Sequence, residues 1–133
     1  MRGTAILLAS TFLSGLAMAD DATEPMLTHA VYFDLKQDDA ASVQALIDGC
    51  YEYLAPHDGI VYFSAGARHV DYQRDVNDLG FDVALTIVFE NTAAQDAYQV
   101  TEPHLQFIEE FNENWASVRV FDSLAPSQDD SED

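Results

Sequence analysis

Apolar residues recur along the chain with two different periods, and these periods predict strands and helices. Alternation of apolar and polar residues predicts four strands, which cover residues 27–35, 60–70, 80–89 and 117–123. Apolar residues three and four positions apart predict helices over residues 40–54, 92–100 and 104–115. The second and third helices are one helical segment with a break at 101–103, so the order is β-α-β-β-α-β. This order predicts a ferredoxin-like α+β fold with a four-stranded antiparallel sheet.

The strand over residues 80–89 is apolar on both faces. Phe81 begins a row of apolar residues on one face, and Ala84 and Val88 make most of the other face apolar too. Because the helices of such a fold cover one face of the sheet, the other face needs a different cover. Tyr32 and Phe63 are expected to add to this second face. We therefore expect a second copy to pack sheet against sheet in a closed homodimer, forming a dimeric α+β barrel.

Local signals predict where the helices begin. Asp38 or Asp39 is placed to cap the first helix, and Thr92 followed by Gln95 is the capping-box pattern of the second. Gly49 lies inside the first helix, where it costs about 1 kcal/mol relative to Ala. Close packing is the one reason for this glycine that the sequence suggests.

The termini differ in composition from the predicted domain at 27–123. Residues 1–19 contain a basic position, an apolar stretch and an Ala-Met-Ala cleavage pattern, which predict a signal peptide cleaved after Ala19. Residues 20–26 form a short lead-in, and the acidic residues 124–133 are predicted to be disordered. We expect a periplasmic or secreted protein without a membrane anchor, and an uncleaved anchor is the alternative.

Charge and cysteine content narrow the classes of partner. The 24 acidic and five basic residues give a formal net charge of −19, which disfavours nucleic acids and anionic membranes as partners. The acidity indicates either a solvated surface, which we favour, or attraction of a cationic partner. Cys50 is the single cysteine, and its position beside apolar helix residues favours a small buried side chain over a nucleophile or an intermolecular disulfide.

Candidate chemistry is concentrated in His29, Tyr98 and His104. His29 shares its strand face with apolar residues, and Tyr98 and His104 flank the predicted helix break. His104 lies in the first turn of a helix, which disfavours imidazolium and favours a neutral ring able to accept a proton. Across a cleft between sheet and helices, the three groups are placed to hold and deprotonate a small phenolic or carbonyl ligand. The alternative is a buried Tyr-His pair that orders the helix break and has no ligand.

The expected ligand-binding residues are apolar and come from the strands predicted over residues 27–35 and 80–89. They are Val31, Phe33, Phe81, Val83 and Leu85. A cavity above about 300 Å³ lined by the three polar groups would favour a ligand over a structural role. His57 and His69 do not cluster with other metal-ligating residues, and no glycine-rich phosphate loop is present. We therefore predict neither a metal site nor a cofactor.

Several short motifs resemble those of one known family. Gly80-Phe81-Asp82 opens a buried strand, Tyr98 and His104 are six residues apart, His29 begins the sequence His-Ala-Val-Tyr-Phe, and Phe121-Asp122 closes the last strand. Together they resemble the stress-responsive A/B barrel (Dabb) family over residues 27–122. The chain has Thr101-Glu102 where the family often has His-Pro.

The resemblance implies a dimeric α+β barrel that binds, or binds and converts, a small hydrophobic molecule. Plant polyketide cyclases of the olivetolic acid cyclase type are similar at these positions. Their working His and Tyr correspond to His104 and Tyr98, and their first-strand His corresponds to His29. Those enzymes close a ring by aldol chemistry without a metal or organic cofactor. The alternatives are a non-enzymatic dimeric stress-response protein and a cofactor-free monooxygenase of the same architecture.

Overall fold

A four-stranded antiparallel sheet with helices on one face carries the fold, as the computed structural model of residues 24–126 shows. The strands are β1 (Met26–Leu35), β2 (Ile60–Ala67), β3 (Val83–Phe89) and β4 (Trp115–Ala125), in the spatial order β2-β3-β1-β4. The helices are α1 (Ala40–Gly49), α2 (Thr92–Gln99) and α3 (Glu102–Phe111). The predicted ferredoxin-like α+β fold is confirmed. None of the helices within 24–126 is long and apolar enough to cross a bilayer.

The predicted termini lie mostly outside the described residues. This applies to the signal peptide at 1–19 and to most of the acidic tail. Leu124 and Ala125 were predicted to belong to that tail, but they belong to β4 and pair with Leu27 and Met26 of β1. Their pairing with an inner strand supplies hydrogen-bond partners that a local composition argument cannot anticipate.

β1 is an inner strand, and its alternation is complete. Every second residue of β1 is buried beneath the helices, in the order Leu27, His29, Val31, Phe33 and Leu35. The strand pairs with β3 on one side and with β4 on the other. His29 therefore points into the layer between sheet and helices, as its alternation predicts.

The first helix ends differently from the prediction of one helix over 40–54. α1 ends at Gly49 and continues as a π-helical turn over Cys50–Leu54. Cys50 is fully buried there, which fits a small core side chain, and burial raises the pKa of its thiol to about 12. The ring of Phe111 lies directly over Gly49, so that a methyl group at this position would overlap ring carbons Cε2 and Cζ. Close packing is thus the structural reason for Gly49.

A register shift in β2 changes the predicted faces of that strand. Ile60 pairs with Phe89, and Tyr62 pairs with Val88, so Val61 is an extra residue in β2. Ile60 and Phe63 consequently both pack against the core, although alternation predicted opposite faces for them. The prediction that Phe63 adds to the second sheet face is wrong.

Phe81 is also on a different face from the one predicted. β3 begins at Val83, and Phe81 packs edge-on against Tyr32 with ring centroids 5.0 Å apart. The reason is Asp82, whose N–H donates to the Phe33 carbonyl (2.7 Å) and whose carboxylate accepts the Leu35 N–H (2.8 Å). Because these two bonds hold Asp82 at the end of β1, the regular alternation of β3 begins only at Val83 and does not include Phe81.

The sheet face opposite the helices remains uncovered within 24–126. We call it the open face, and its residues include Ala30, Tyr32, Phe81, Arg119 and Phe121. Phe121 is 55% exposed and packs edge-on against Tyr32. Arg119 pairs with Asp78 at 3.1 Å on the rim. The face is therefore aromatic at its centre and charged at its edge.

Candidate functional site

A cavity of about 240 Å³ lies between the sheet and α3. Most of its lining is apolar and comes from β1, β4 and α3. Val118 and Val120 of β4 line it and are 38% and 50% exposed, which places its mouth at the β4 edge. The volume is below the 300 Å³ that we set as favouring a ligand, so volume alone does not favour a ligand over a structural role, and it restricts the size of any occupant.

The break between α2 and α3 positions His104. Asn91 caps α2 through its side chain, so the predicted cap at Thr92 is one residue too late. Thr101 caps α3, and its hydroxyl accepts the His104 N–H (3.4 Å) and donates to the Tyr98 carbonyl (2.9 Å). Pro103 is tolerated in the first turn because N–H groups there have no helical partner. The sequence Thr-Glu-Pro-His thus places His104 next to Tyr98.

Tyr98 lies at the centre of three imidazoles. Its ring centroid is 4.7 Å from that of His104, 5.1 Å from His57 and 6.2 Å from His29. Burial raises the pKa of Tyr98 well above its ordinary value, with a smaller contribution from Cys50. The phenol therefore stays protonated as a hydrogen-bond donor.

His104 is neutral at pH 7 and partly unsatisfied. Burial lowers its pKa below 6.5, and the neighbouring His29 and His57 lower it further. The direction agrees with the predicted neutral ring, and burial is the main cause. Its buried Nδ1 has no hydrogen-bond partner among the described residues. This buried nitrogen therefore lacks the hydrogen bond that a folded protein usually gives such an atom.

His29 is oriented by an acidic residue of the neighbouring strand. Its Nδ1–H donates to Asp122 Oδ1 at 2.6 Å. The two residues are direct neighbours in the antiparallel pairing of β1 and β4. In the neutral ring this leaves Nε2 as an acceptor. The sequence reasoning missed Asp122 as a site residue. A carboxylate on the same strand face as Val118 and Val120 was the signal that could have identified it.

His57 supports the site from behind Tyr98. Its Nδ1 donates to the Leu54 carbonyl (3.0 Å), and its Nε2 lies 2.8 Å from Thr101 Oγ1. The sequence reasoning considered this residue only as a weak metal ligand. Among residues 24–126, no three His, Cys, Asp or Glu side chains are grouped so that they could hold a metal ion.

The structure brings most of the predicted site residues together. His29, Tyr98, His104, Val31, Phe33 and Leu85 all line the cavity. Val83 is fully buried in the core and does not line it, and Phe81 is on the open face. Trp115, predicted to end a helix, is the first residue of β4 and also lines the cavity.

Comparison with solved structures supports the same fold at low sequence identity. A dimeric ferredoxin-like protein of unknown function from Thermobifida fusca has a TM-score of 0.63 at 14% identity, covering 76% of this chain and 92% of its own. A Dabb family protein with a ferredoxin-like fold from Mesorhizobium loti has a TM-score of 0.61 at 18% identity, covering 75% and 96%. A hydroxynitrile lyase from Passiflora edulis has a TM-score of 0.61 at 20% identity, covering 74% and 92%.

Sequence comparison identifies the family. No curated protein matches the chain. Residues 27–125, nearly the whole of the described domain, match the Stress responsive A/B Barrel Domain, Dabb. The match covers all four strands of the sheet apart from Met26, the first residue of β1. The chain belongs to the stress-responsive A/B barrel (Dabb) family.

Proposed function

We propose that the protein binds a small, mostly apolar molecule that carries a carbonyl or phenol oxygen, in the cavity between sheet and helices. The observation that carries this proposal is His104 Nδ1, a buried nitrogen without a hydrogen-bond partner among the described residues, next to the Tyr98 ring in a mostly apolar lining. A buried polar group without a partner costs about 1–3 kcal/mol. A ligand oxygen placed between this nitrogen and the Tyr98 hydroxyl would remove that cost.

The cavity volume limits the ligand to about one ring with short substituents. An apolar cavity of roughly 150 Å³ is sufficient for benzene, whereas pockets for drug-sized ligands are about 300–1,000 Å³. The volume of about 240 Å³ lies between these cases. The mouth at β4 gives such a molecule a route of entry.

The same groups would support proton transfer next to a carbonyl. The Tyr98 hydroxyl would donate to the carbonyl oxygen, and a neutral imidazole would take a proton from the adjacent carbon. The electron pair of the broken C–H bond would move toward the oxygen, where the Tyr98 hydrogen bond stabilises the charge. Asp122 would stabilise His29 as imidazolium if His29 is the base. The structural similarity to a hydroxynitrile lyase supports a small-molecule binding or converting role.

Binding of matched one-ring compounds tests the proposal. We expect isothermal titration calorimetry to show that benzaldehyde and phenol bind more tightly than toluene, by about two- to tenfold for one neutral hydrogen bond. Tyr98→Phe should remove this preference while the far-ultraviolet circular dichroism stays unchanged, and His104→Ala should weaken binding of the oxygenated compounds. Val120→Ala is the control, because it trims the cavity mouth without touching a polar group.

Three results would contradict the proposal. Absence of binding of all three compounds at millimolar concentration would favour the non-enzymatic stress-response function. Equal binding of toluene and phenol would show that the polar groups do not select the ligand. Oxygen uptake that depends on an added phenol would instead identify the cofactor-free monooxygenase.

We also propose that the open face joins two copies in a homodimer. Tyr32, Phe81 and Phe121 form an aromatic patch that the described chain leaves uncovered. The Thermobifida fusca neighbour is dimeric, which supports this assembly. Phe121→Glu should shift the sedimentation coefficient from dimer to monomer at micromolar concentration. A wild-type protein that sediments as a monomer at that concentration would refute the dimer.

We propose, finally, that this binding occurs outside the cytoplasm, after cleavage following Ala19. The support is the leader-like composition of residues 1–19. Mass spectrometry of the protein from periplasmic and culture fractions of an expressing bacterium would test it. The full-length mass in every fraction would refute cleavage.

A further inference from the structure

Trp115 lines the cavity and carries a second buried polar atom without a hydrogen-bond partner among the described residues. It is the first residue of β4, and its indole packs against Phe33 (5.1 Å between ring centroids) and Phe107 (5.8 Å). The indole Nε1 is buried and has no hydrogen-bond partner among residues 24–126. An indole N–H can donate but cannot accept, so only an acceptor can satisfy it.

This indole lies at the opposite end of the cavity from Tyr98 and His104. His29 contacts Tyr98, whereas Phe33, four residues farther along β1, contacts Trp115. Four residues of a strand span roughly 13 Å. Val31 and Phe107 line the space between the two ends. The cavity is therefore apolar in its middle, with hydrogen-bonding groups at both ends.

We propose that Trp115 is a specificity-determining residue, which donates a hydrogen bond to a second oxygen or nitrogen acceptor of the ligand. This inference rests on the proposed binding function and narrows its ligand class to an elongated molecule with an acceptor at each end. The chain carries a formal net charge of −19, and Asp122 lines the same cavity. A neutral acceptor, such as an ether, ester or ketone oxygen, fits this electrostatic environment better than a carboxylate.

Two matched pairs of phenols test the inference by calorimetry. The first pair is 4-methoxyphenol and 4-ethylphenol, and the second is 4-(methoxymethyl)phenol and 4-propylphenol. Within each pair an ether oxygen replaces a methylene group, so size and the phenol end stay constant. We expect the ether to bind more tightly than its hydrocarbon partner by about three- to tenfold in at least one pair, the value of one neutral hydrogen bond.

Trp115→Phe should abolish or reverse that preference, because the oxygen would then be buried without a donor. Val120→Ala lines the same cavity and serves as the control, in which both members of a pair should weaken equally. For each variant, the dissociation constants of the two members of a pair are compared as a ratio. This ratio removes the effect of altered packing or stability, which both members share.

The possible failures are distinguishable. If the phenols bind and the two members of both pairs bind equally to the wild type, the Trp115 inference is wrong and the proposed function stands. Equal binding is also the result expected if a retained water satisfies the indole. An ether preference that persists in Trp115→Phe would likewise overturn the inference. If no phenol binds, the proposed function fails together with it.

Discussion

Gly49→Ala tests how tightly the two long helices are packed. Gly49 is the buried last residue of α1, and the ring of Phe111, the last residue of α3, lies over it. A methyl group would overlap Cε2 and Cζ of that ring, and Cδ2 would be 3.3 Å away. The ring also packs against Phe107 at 5.3 Å, which limits how far it can move.

Two opposing terms determine the effect on the free energy of unfolding. Alanine in a helix is favoured over glycine by about 1 kcal/mol. Overpacking a core typically costs about 1–3 kcal/mol. We therefore expect Gly49→Ala to lower the free energy of unfolding by about 1 kcal/mol. In a Phe111→Ala background the ring is absent, and the same change should raise the free energy of unfolding by about 1 kcal/mol.

Urea unfolding followed by circular dichroism measures this double-mutant cycle. Protein concentration must be constant across the four variants, because association adds to apparent stability. The expected coupling between the two positions is about 2 kcal/mol. A Gly49→Ala variant that is more stable than the wild type would refute the reasoning, since it would show that the Phe111 ring moves aside at little cost.

Three further predictions concern the site and the core. Thr101→Ala should lower the free energy of unfolding by about 1 kcal/mol through loss of a helix cap, and it should also weaken phenol binding in calorimetry. The control is Asn91→Ala, which removes the cap of α2; it should lower the free energy of unfolding by a similar amount and leave phenol binding unchanged. Because the pKa of His104 is lowered by folding, its contribution is present above pH 6.5 and is lost as the pH falls below it. Urea unfolding at several pH values should therefore show the wild type losing more stability on acidification than His104→Gln, and parallel curves would contradict this. Cys50, with its pKa raised to about 12 by burial, should react with a thiol reagent at pH 8 only after unfolding, and rapid reaction of the native protein would contradict its burial.

Regular periodicity accounts for what could be predicted from the sequence. β1 follows a two-residue period through all ten of its residues, so the direction of His29 followed from alternation alone. A break near 101–103 was predicted because proline is a local signal, but only Val100 and Thr101 lie between α2 and α3, and Pro103 is in the first turn of α3. Phe81 and Phe63 were placed wrongly because a side-chain bond at Asp82 and an extra residue at Val61 interrupt the same period.

The remaining site residues depend on contacts that no local pattern contains. Asp122 orients His29 from 93 positions along the chain, and the bond exists only because β1 and β4 pair in one register. Trp115 was assigned to a helix because its spacing from Phe111 is helical, whereas a short 3₁₀ turn over Asn112–Asn114 ends that helix. Its role at the cavity follows from tertiary packing against Phe33.

Trp115 is the single tryptophan of the chain, and it forms part of the cavity wall. Its fluorescence therefore originates from one place in the molecule. Replacement of solvent beside the indole by a bound compound changes the polarity around the excited ring, which shifts the emission maximum. The protein thus contains a built-in optical reporter of occupancy, with which colourless compounds can be ranked without a label.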